Sequence, residues 1–132
     1  MKMATKTKLR SKKVLVIDDE NDLRRFSTWV LEAEGYLTLQ AGDGASGLAI
    51  ARQEHPDLIL LDIKLPDRYG WTILEEIKAS PQLSVIPVVI FTASADIIYK
   101  DMAEKMGAAD FLVKPVSAET LRDCIKNIIP LE

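Results

Sequence analysis

The chain has 132 residues, of which 48% are hydrophobic and 28% charged, and its formal net charge is −3 at pH 7. This length and composition predict one globular domain and exclude an intrinsically disordered chain. The sequence lacks an apolar run near the roughly 20 residues that cross a membrane. Its first 13 residues also lack the apolar stretch of a secretory signal. We therefore expect a cytoplasmic protein without membrane insertion.

The charge is distributed unevenly along the chain. The first 13 residues contain six of the 17 basic residues and no acidic one, so the remainder carries 11 basic against 20 acidic residues. An acidic body argues against direct nucleic-acid binding by the folded part. We expect residues 1–12 to form a basic, disordered extension and residues 13–132 to form the domain.

The first half of the chain alternates between strand-like and helical apolar patterns. These patterns predict strands at residues 14–17, 36–40 and 58–61 and helices at residues 21–34 and 43–54. On the second helix, Ala45, Leu48 and Ala49 are expected to face inward. Gly35 is expected to end the first helix.

The second half continues the same alternation. After a loop at residues 64–70, a third helix carries Leu74 and Ile77 on its apolar face. The remaining elements are a strand at 88–91, a helix with Ile98, Met102 and Met106 on its apolar face, a strand at 109–113 and a helix at 117–129.

Five strand–helix units in succession predict an α/β fold, a doubly wound five-stranded parallel sheet with helices on both faces. Ligands of such open sheets bind beyond the carboxyl ends of the strands. Five polar residues follow or end the predicted strands there: Asp18, Asp19, Asp62, Thr92 and Lys114.

This set of side chains predicts phosphoryl chemistry. Carboxylates of Asp18, Asp19 and Asp62 that converge would repel each other, and a divalent cation would relieve the repulsion. Oxygen-only ligands favour Mg²⁺ or Mn²⁺. Lys114 and Thr92 would complete a cradle for a phosphoryl group, and one carboxylate could act as the nucleophile. In the alternative interpretation, Asp18 or Asp19 only caps the first helix and Lys114 is a surface residue.

With these residues the chain resembles the receiver domain of two-component response regulators, over about residues 13–129. The resemblance rests on Asp18-Asp19, on Asp62 followed by Pro66 and Gly70 in DIKLPDRYG, on Thr92-Ala93 and on Lys114-Pro115. It implies the flavodoxin-like strand order 2-1-3-4-5 and a cis peptide bond before Pro115.

The resemblance implies a magnesium site. Asp19 would bind Mg²⁺ directly, with Asp62 and the backbone carbonyl of Lys64 as further ligands, and Mn²⁺ could substitute. Asp18 would act through a water on the metal.

The resemblance also implies a role for each remaining site residue. Asp62 would accept a phosphoryl group from a histidine kinase or a histidine phosphotransfer protein, and Thr92 and Lys114 would bind the phosphoryl oxygens. The chain would be a phosphoacceptor with intrinsic autophosphatase activity rather than a conventional enzyme. Phe111 stands where the family often has tyrosine, and with Thr92 it would form the switch. We also hypothesise that Lys64 screens the acyl phosphate and lengthens its life.

Two functions remain open from the sequence. The chain is either a stand-alone phospho-switch or phosphorelay intermediate, or the input domain of a longer response regulator. Its end just past the last helix favours the first. Its downstream partner is expected on the helix 4–strand 5–helix 5 face, where Ile97, Tyr99 and Lys100 look accessible. We expect a monomer or a weak dimer. An aspartyl-phosphate phosphatase is disfavoured because Lys64 stands where those enzymes have an acid.

Overall fold

The computed structural model describes residues 11–131, so residues 1–10 of the predicted extension lie outside it. Its strands are β1 (Lys13–Ile17), β2 (Leu37–Ala41), β3 (Leu58–Leu61), β4 (Val88–Thr92) and β5 (Asp110–Val113). Its helices are α1 (Asn21–Glu34), α2 (Gly44–Glu54), α3 (Gly70–Ala79), α4 (Ile97–Lys105) and α5 (Ala118–Ile128). Within this range, no helix is long and apolar enough to cross a membrane.

The strands form one parallel sheet in the order β2-β1-β3-β4-β5, which confirms the predicted topology. Ile17 pairs with Leu61 at the carboxyl ends of β1 and β3. The residues that follow these two, Asp18 and Asp62, therefore leave the sheet side by side. The strand order thus brings together two acids that are far apart in the sequence.

The sheet separates two hydrophobic cores, because successive strand residues point to opposite faces. On one face, Leu15, Ile17, Ile59, Leu61 and Ile90 pack with residues of α2, α3 and α4. On the other face, Val14, Val16, Leu60, Val89 and Phe91 pack with residues of α1 and α5. The central strands are consequently buried on both sides, and the site lies at the edge of this packed sheet.

The inward face of α2 differs from the prediction. Leu48 is buried as expected, but Ala45 and Ala49 are exposed, and Gly44 and Gly47 are buried instead. A Cβ atom on Gly47 would lie 2.6 Å from Cδ1 of Ile17, so the helix approaches β1 through glycine. Counting apolar side chains misses this face because glycine contributes none.

The core-facing side of α4 is also shifted from the prediction. Ile98 is 60% exposed, whereas Ala103 is buried and Tyr99 and Met106 pack against the same core. Tyr99 and Ala103 each lie one position after the expected Ile98 and Met102, whereas Met106 packs against the core as expected. Of the three expected surface positions, Ile97 and Lys100 are exposed, whereas Tyr99 is only partly exposed because it packs against the core.

Candidate functional site

Asp18 and Asp62 are the buried acids at the carboxyl edge of the sheet, with only 2% and 6% of their surface exposed. The amide of Asp18 donates to the carbonyl of Ala41 at 3.0 Å, and the amide of Asp62 donates to the carbonyl of Ile17 at 3.0 Å. Their backbones thus continue the hydrogen-bond ladders of the sheet. These bonds fix the backbone positions of the two acids.

Lys114 brings a positive charge onto both acids. Its amide donates to the carbonyl of Thr92 at 2.7 Å, which places it directly beyond β4 and β5. Its Nζ lies 2.7 Å from Oδ2 of Asp18 and 3.2 Å from Oδ2 of Asp62. The side chain of Lys114 is only 7% exposed, so the alternative of a surface lysine is wrong.

The alternative of a helix cap does not describe Asp18. Its Oδ2 atom contacts Lys114, and only its other oxygen, Oδ1, accepts a backbone bond, from the amide of Glu20 at 2.9 Å. The N-cap residue of α1 is Glu20, whose own side chain does not cap the helix. Asp18 therefore belongs to a buried charge cluster with Lys114 and Asp62. The peptide bond between Lys114 and Pro115 is cis, as predicted.

The burial of these charges shifts their proton equilibria. Burial raises the pKa of Asp62, and the charge of Asp18 raises it further, while Lys114 opposes both effects. Burial alone would lower the pKa of Lys114, but bonds to Asp18 and Glu20 outweigh it and raise that pKa. Lys114 thus stays protonated, and the ionised form of Asp62 is poorly solvated. Such a carboxylate gains from additional positive charge beside it.

Glu20 is a site neighbour that the sequence reasoning missed. Its Oε1 lies 3.0 Å from Nζ of Lys114. Among residues 11–131, Asp18, Glu20 and Asp62 form the acidic group whose ligand oxygens lie within 4.8 Å of one another. The strand-end pattern selected Asp18 and Asp19, the first two residues after β1, whereas Glu20 is the third.

Asp19 has a different environment from Asp18. It is exposed and lines a cleft at the carboxyl edge of the sheet, but it is not a member of the acidic group of Asp18, Glu20 and Asp62. Its predicted role as a direct metal ligand stays a prediction. The site nevertheless suits Mg²⁺ or Mn²⁺, because its close donors are all carboxylate oxygens.

An open cleft of about 360 Å³ lies above the charge cluster. Its lining residues are Asp19, Glu20, Asp62, Lys64, Thr92, Ala93, Ser94 and Lys114. Thr92 is buried, with its Oγ1 accepting a long bond from the amide of Ser94 at 3.5 Å. The cleft therefore presents a carboxylate, an ammonium and a hydroxyl around one space.

The loop between β3 and α3 is held tightly beside Asp62. A Cβ atom on Gly70 would lie 2.3 Å from the carbonyl oxygen of Asp62, so only glycine allows this approach. The amide of Gly70 donates to the carbonyl of Ile63, and Lys64 bridges to Tyr69. This closed loop holds Lys64, which lines the cleft.

Phe111 lies away from the cleft. It pairs with Ile90 in the sheet and is partly buried against the core beneath α4. It lines a separate cavity of about 110 Å³ together with residues of α4, among them Lys100 and Ala103. Its predicted role in a switch stays a prediction.

Comparison with known proteins places this site in a family. The chain is 34% identical over 124 residues to Sporulation initiation phosphotransferase F of Bacillus subtilis, with 94% of this chain and 98% of that protein covered. It is 33% identical to Probable transcriptional regulator ycf27 of Porphyridium aerugineum, of which it spans about half, 49%. Chemotaxis response regulator CheY4 of Vibrio cholerae matches with a TM-score of 0.85 and 28% identity, covering 91% of this chain and all of that one.

The family model of the response regulator receiver domain matches residues 14–126. The chain therefore belongs to the response regulator receiver domain family, as the resemblance predicted. Receiver domains are phosphoacceptor signalling domains of two-component systems, and they interact with histidine kinases or phosphotransfer proteins. They bind Mg²⁺ in an acidic pocket, and the group of Asp18, Glu20 and Asp62 could hold such an ion here.

Proposed function

We propose that Asp62 accepts a phosphoryl group from a phosphohistidine of a histidine kinase or phosphotransfer protein. The observation that carries this proposal is the contact of Lys114 with both Asp18 and Asp62 beneath an open cleft. A carboxylate at the floor of a cleft, with a lysine and a threonine beside it, is equipped for phosphoryl transfer.

The transfer is a displacement at phosphorus. An oxygen of Asp62 forms the new P–O bond while the P–N bond to the donor imidazole breaks, and the electron pair stays on the ring nitrogen. The Nζ of Lys114 lies 3.2 Å from Oδ2 of Asp62. It is therefore close enough to pair with an oxygen of the phosphoryl group that Asp62 receives. The hydroxyl of Thr92 donates to a second phosphoryl oxygen.

The proposal includes a bound Mg²⁺, with Mn²⁺ as a substitute. Asp19, Asp62 and the backbone carbonyl of Lys64 would hold it directly, and Asp18 would hold it through a water. When bound, the ion supplies positive charge that stabilises the transferring group. The acidic cluster supports this assignment, because a single lysine leaves it with excess negative charge.

We include intrinsic autophosphatase activity in the proposal. A water entering the cleft would attack phosphorus, break the bond to Asp62 and release inorganic phosphate. Lys64 and Ser94 both line the cleft. We propose that Lys64 screens the acyl phosphate from this water. The Lys64→Ala variant should lose phosphate faster, and an unchanged rate would refute this role.

A downstream partner would recognise the phosphorylated state at the surface formed by α4, β5 and α5. The negative charge of a phosphoryl group on Asp62 would attract the hydroxyl of Thr92. The side chain of Phe111 on β5 would then change its position. The exposed Ile97 and Ile98 on α4 are apolar contacts available to a protein partner. A stand-alone switch and the input domain of a longer regulator both use such a face.

We further propose that the receiver domain spans residues 13–132, and that the protein is cytoplasmic, is a monomer or weak dimer, and makes no direct contact with nucleic acid.

The proposal is tested by incubation with Mg²⁺ and a small phosphodonor, followed by intact mass measurement. The wild-type protein should gain the mass of one phosphoryl group, and EDTA should prevent the gain. The Asp62→Asn variant should gain none. A gain that survives this substitution would refute the proposal.

A further inference from the structure

Asp67 connects the loop after β3 to a helix distant in the sequence. Its Oδ1 accepts from the amide of Gly44 at 2.8 Å, and its Oδ2 accepts from the amide of Ala45 at 2.9 Å. These amides open α2, where backbone donors lack partners within the helix. Both carboxylate oxygens are thus used on a rigid backbone, which fixes the position of the loop and not only its distance from α2.

The first turn of α2 has a second, local acid. Asp43 is the N-cap residue of the helix, and its Oδ1 accepts a hydrogen bond from the amide of Ser46 at 2.8 Å. Asp43 and Asp67 therefore stabilise the same helix end through different amides. They differ in one respect, because Asp67 alone comes from the loop that borders the cleft.

The loop is fixed at its base but projects at its tip. Gly70 and Ile63 close the base by a backbone bond, and the Lys64–Tyr69 bridge extends it. At the tip, Pro66 and Asp67 are exposed. The tip residue Asp67 bonds to α2, and α2 itself packs closely on β1, the strand that ends just before Asp18.

We propose that Asp67 is a positioning residue for the metal site: it clamps the loop of residues 63–69 to α2 and so holds the backbone carbonyl of Lys64 at the cleft. This inference rests on the proposed function, in which that carbonyl is a metal ligand. The bonds from Gly44 and Ala45 lower the pKa of Asp67, so the clamp stays ionised at neutral pH.

The test compares Asp67→Ala with Asp43→Ala. Each variant removes one carboxylate that accepts hydrogen bonds from amides in the first turn of α2. Only Asp67→Ala also releases the loop. Mg²⁺ is titrated into each 132-residue protein, and the dissociation constant is read from amide chemical shifts by NMR. We expect Asp67→Ala to raise the constant roughly 10-fold, as for other residues that orient metal ligands. Asp43→Ala should stay near the wild-type value.

A second readout needs no metal. In EDTA, hydrogen exchange of the amides in residues 63–70 should be faster in Asp67→Ala than in Asp43→Ala. The Asp67→Asn variant retains one acceptor oxygen and should give an intermediate Mg²⁺ constant. If Asp67→Ala does not fold, the comparison with Asp43→Ala is made with Asp67→Asn instead.

Two results would overturn the inference while leaving the proposed function intact. One is a wild-type Mg²⁺ constant in Asp67→Ala and Asp67→Asn. The other is an equal rise in Asp67→Ala and Asp43→Ala, because that would reflect only a weakened helix. Failure of the wild-type protein itself to bind Mg²⁺ would overturn the proposed function, and the inference with it.

Discussion

The Nζ atom of Lys114 lies 3.2 Å from Oδ2 of Asp62, although 52 positions separate the two residues in the chain. The same ammonium group lies closer still to Asp18, at 2.7 Å. One buried lysine therefore balances the acids at the ends of β1 and β3. We expect the stability of the metal-free protein and the proposed phosphoryl transfer to depend on this contact.

Replacing Lys114 should destabilise the metal-free protein. Lys114→Ala leaves Asp18 and Asp62 buried without their cation, and breaking a buried pair in this way costs about 3 kcal/mol. Added Mg²⁺ should restore much of the loss, because it supplies the missing positive charge. Urea unfolding in EDTA and in Mg²⁺ measures both effects. Lys100→Ala, at an exposed position on α4, is the control and should change little. Equal stability of Lys114→Ala and wild type in EDTA would contradict the account.

Replacing Asp62 by asparagine should raise stability at neutral pH. The pKa of Asp62 is raised in the folded state, first by burial, so its contribution to stability is present below the unfolded pKa and is lost as pH rises through the folded pKa. At pH 7 the ionised group is therefore a cost that Asp62→Asn removes. We expect the variant to melt a few degrees higher in EDTA at pH 7.

The pH dependence of that difference is the sharper part of the test. The advantage of Asp62→Asn should shrink as the pH falls toward the ordinary aspartate pKa, because wild-type Asp62 then becomes neutral as well. Thermal melts followed by circular dichroism measure this. Asp101→Asn, at an exposed position on α4, should show no such trend. A variant less stable than wild type at pH 7 would contradict the charge account.

Gly70 should not tolerate a side chain. In Gly70→Ala the new Cβ would lie 2.3 Å from the carbonyl oxygen of Asp62, so the backbone must move. We expect a loss of about 2 kcal/mol in unfolding free energy and slower phosphorylation, because Asp62 moves with its carbonyl. Gly42→Ala is the matched control, since its Cβ would meet the Arg24 side chain at an ordinary 3.4 Å. Equal stability and phosphorylation rates in the two variants would contradict the close packing.

Cys124 should react slowly in the folded protein. Burial raises the pKa of its thiol to about 12, and the neighbouring carboxylate of Asp110 raises it in the same direction. Only a very small fraction is thiolate at pH 8, so a thiol reagent should modify the native protein far more slowly than the urea-unfolded protein. Equal rates in the two states would show that Cys124 is not packed between α5 and β5.

Much of the site could be predicted because strand ends are visible in the local sequence. Asp18 and Asp62 directly follow the apolar strand residues Ile17 and Leu61, and parallel strands deliver such residues to one edge. The strand order, which makes the two acids neighbours, came from the resemblance to a family. No local pattern reveals which strands pair.

The features that the sequence did not reveal depend on turns and on absent side chains. The reach of Glu20 to Lys114 depends on the path of the turn after β1. The bonds of Asp67 depend on how the loop folds back onto α2, more than 20 positions away in the sequence. The buried face of α2 rests on Gly44 and Gly47, which hydrophobic periodicity does not register.

The central claim is that Asp62 carries the phosphoryl group. An acyl phosphate is reduced by borohydride, which converts the phosphorylated aspartate to homoserine. Phosphorylation with Mg²⁺ and a small phosphodonor, followed by reduction and peptide mass spectrometry, therefore locates the group directly. The account predicts homoserine at position 62 alone, and none in a sample treated with EDTA. Homoserine at Asp18, at Asp19 or elsewhere, or none at all, would contradict it.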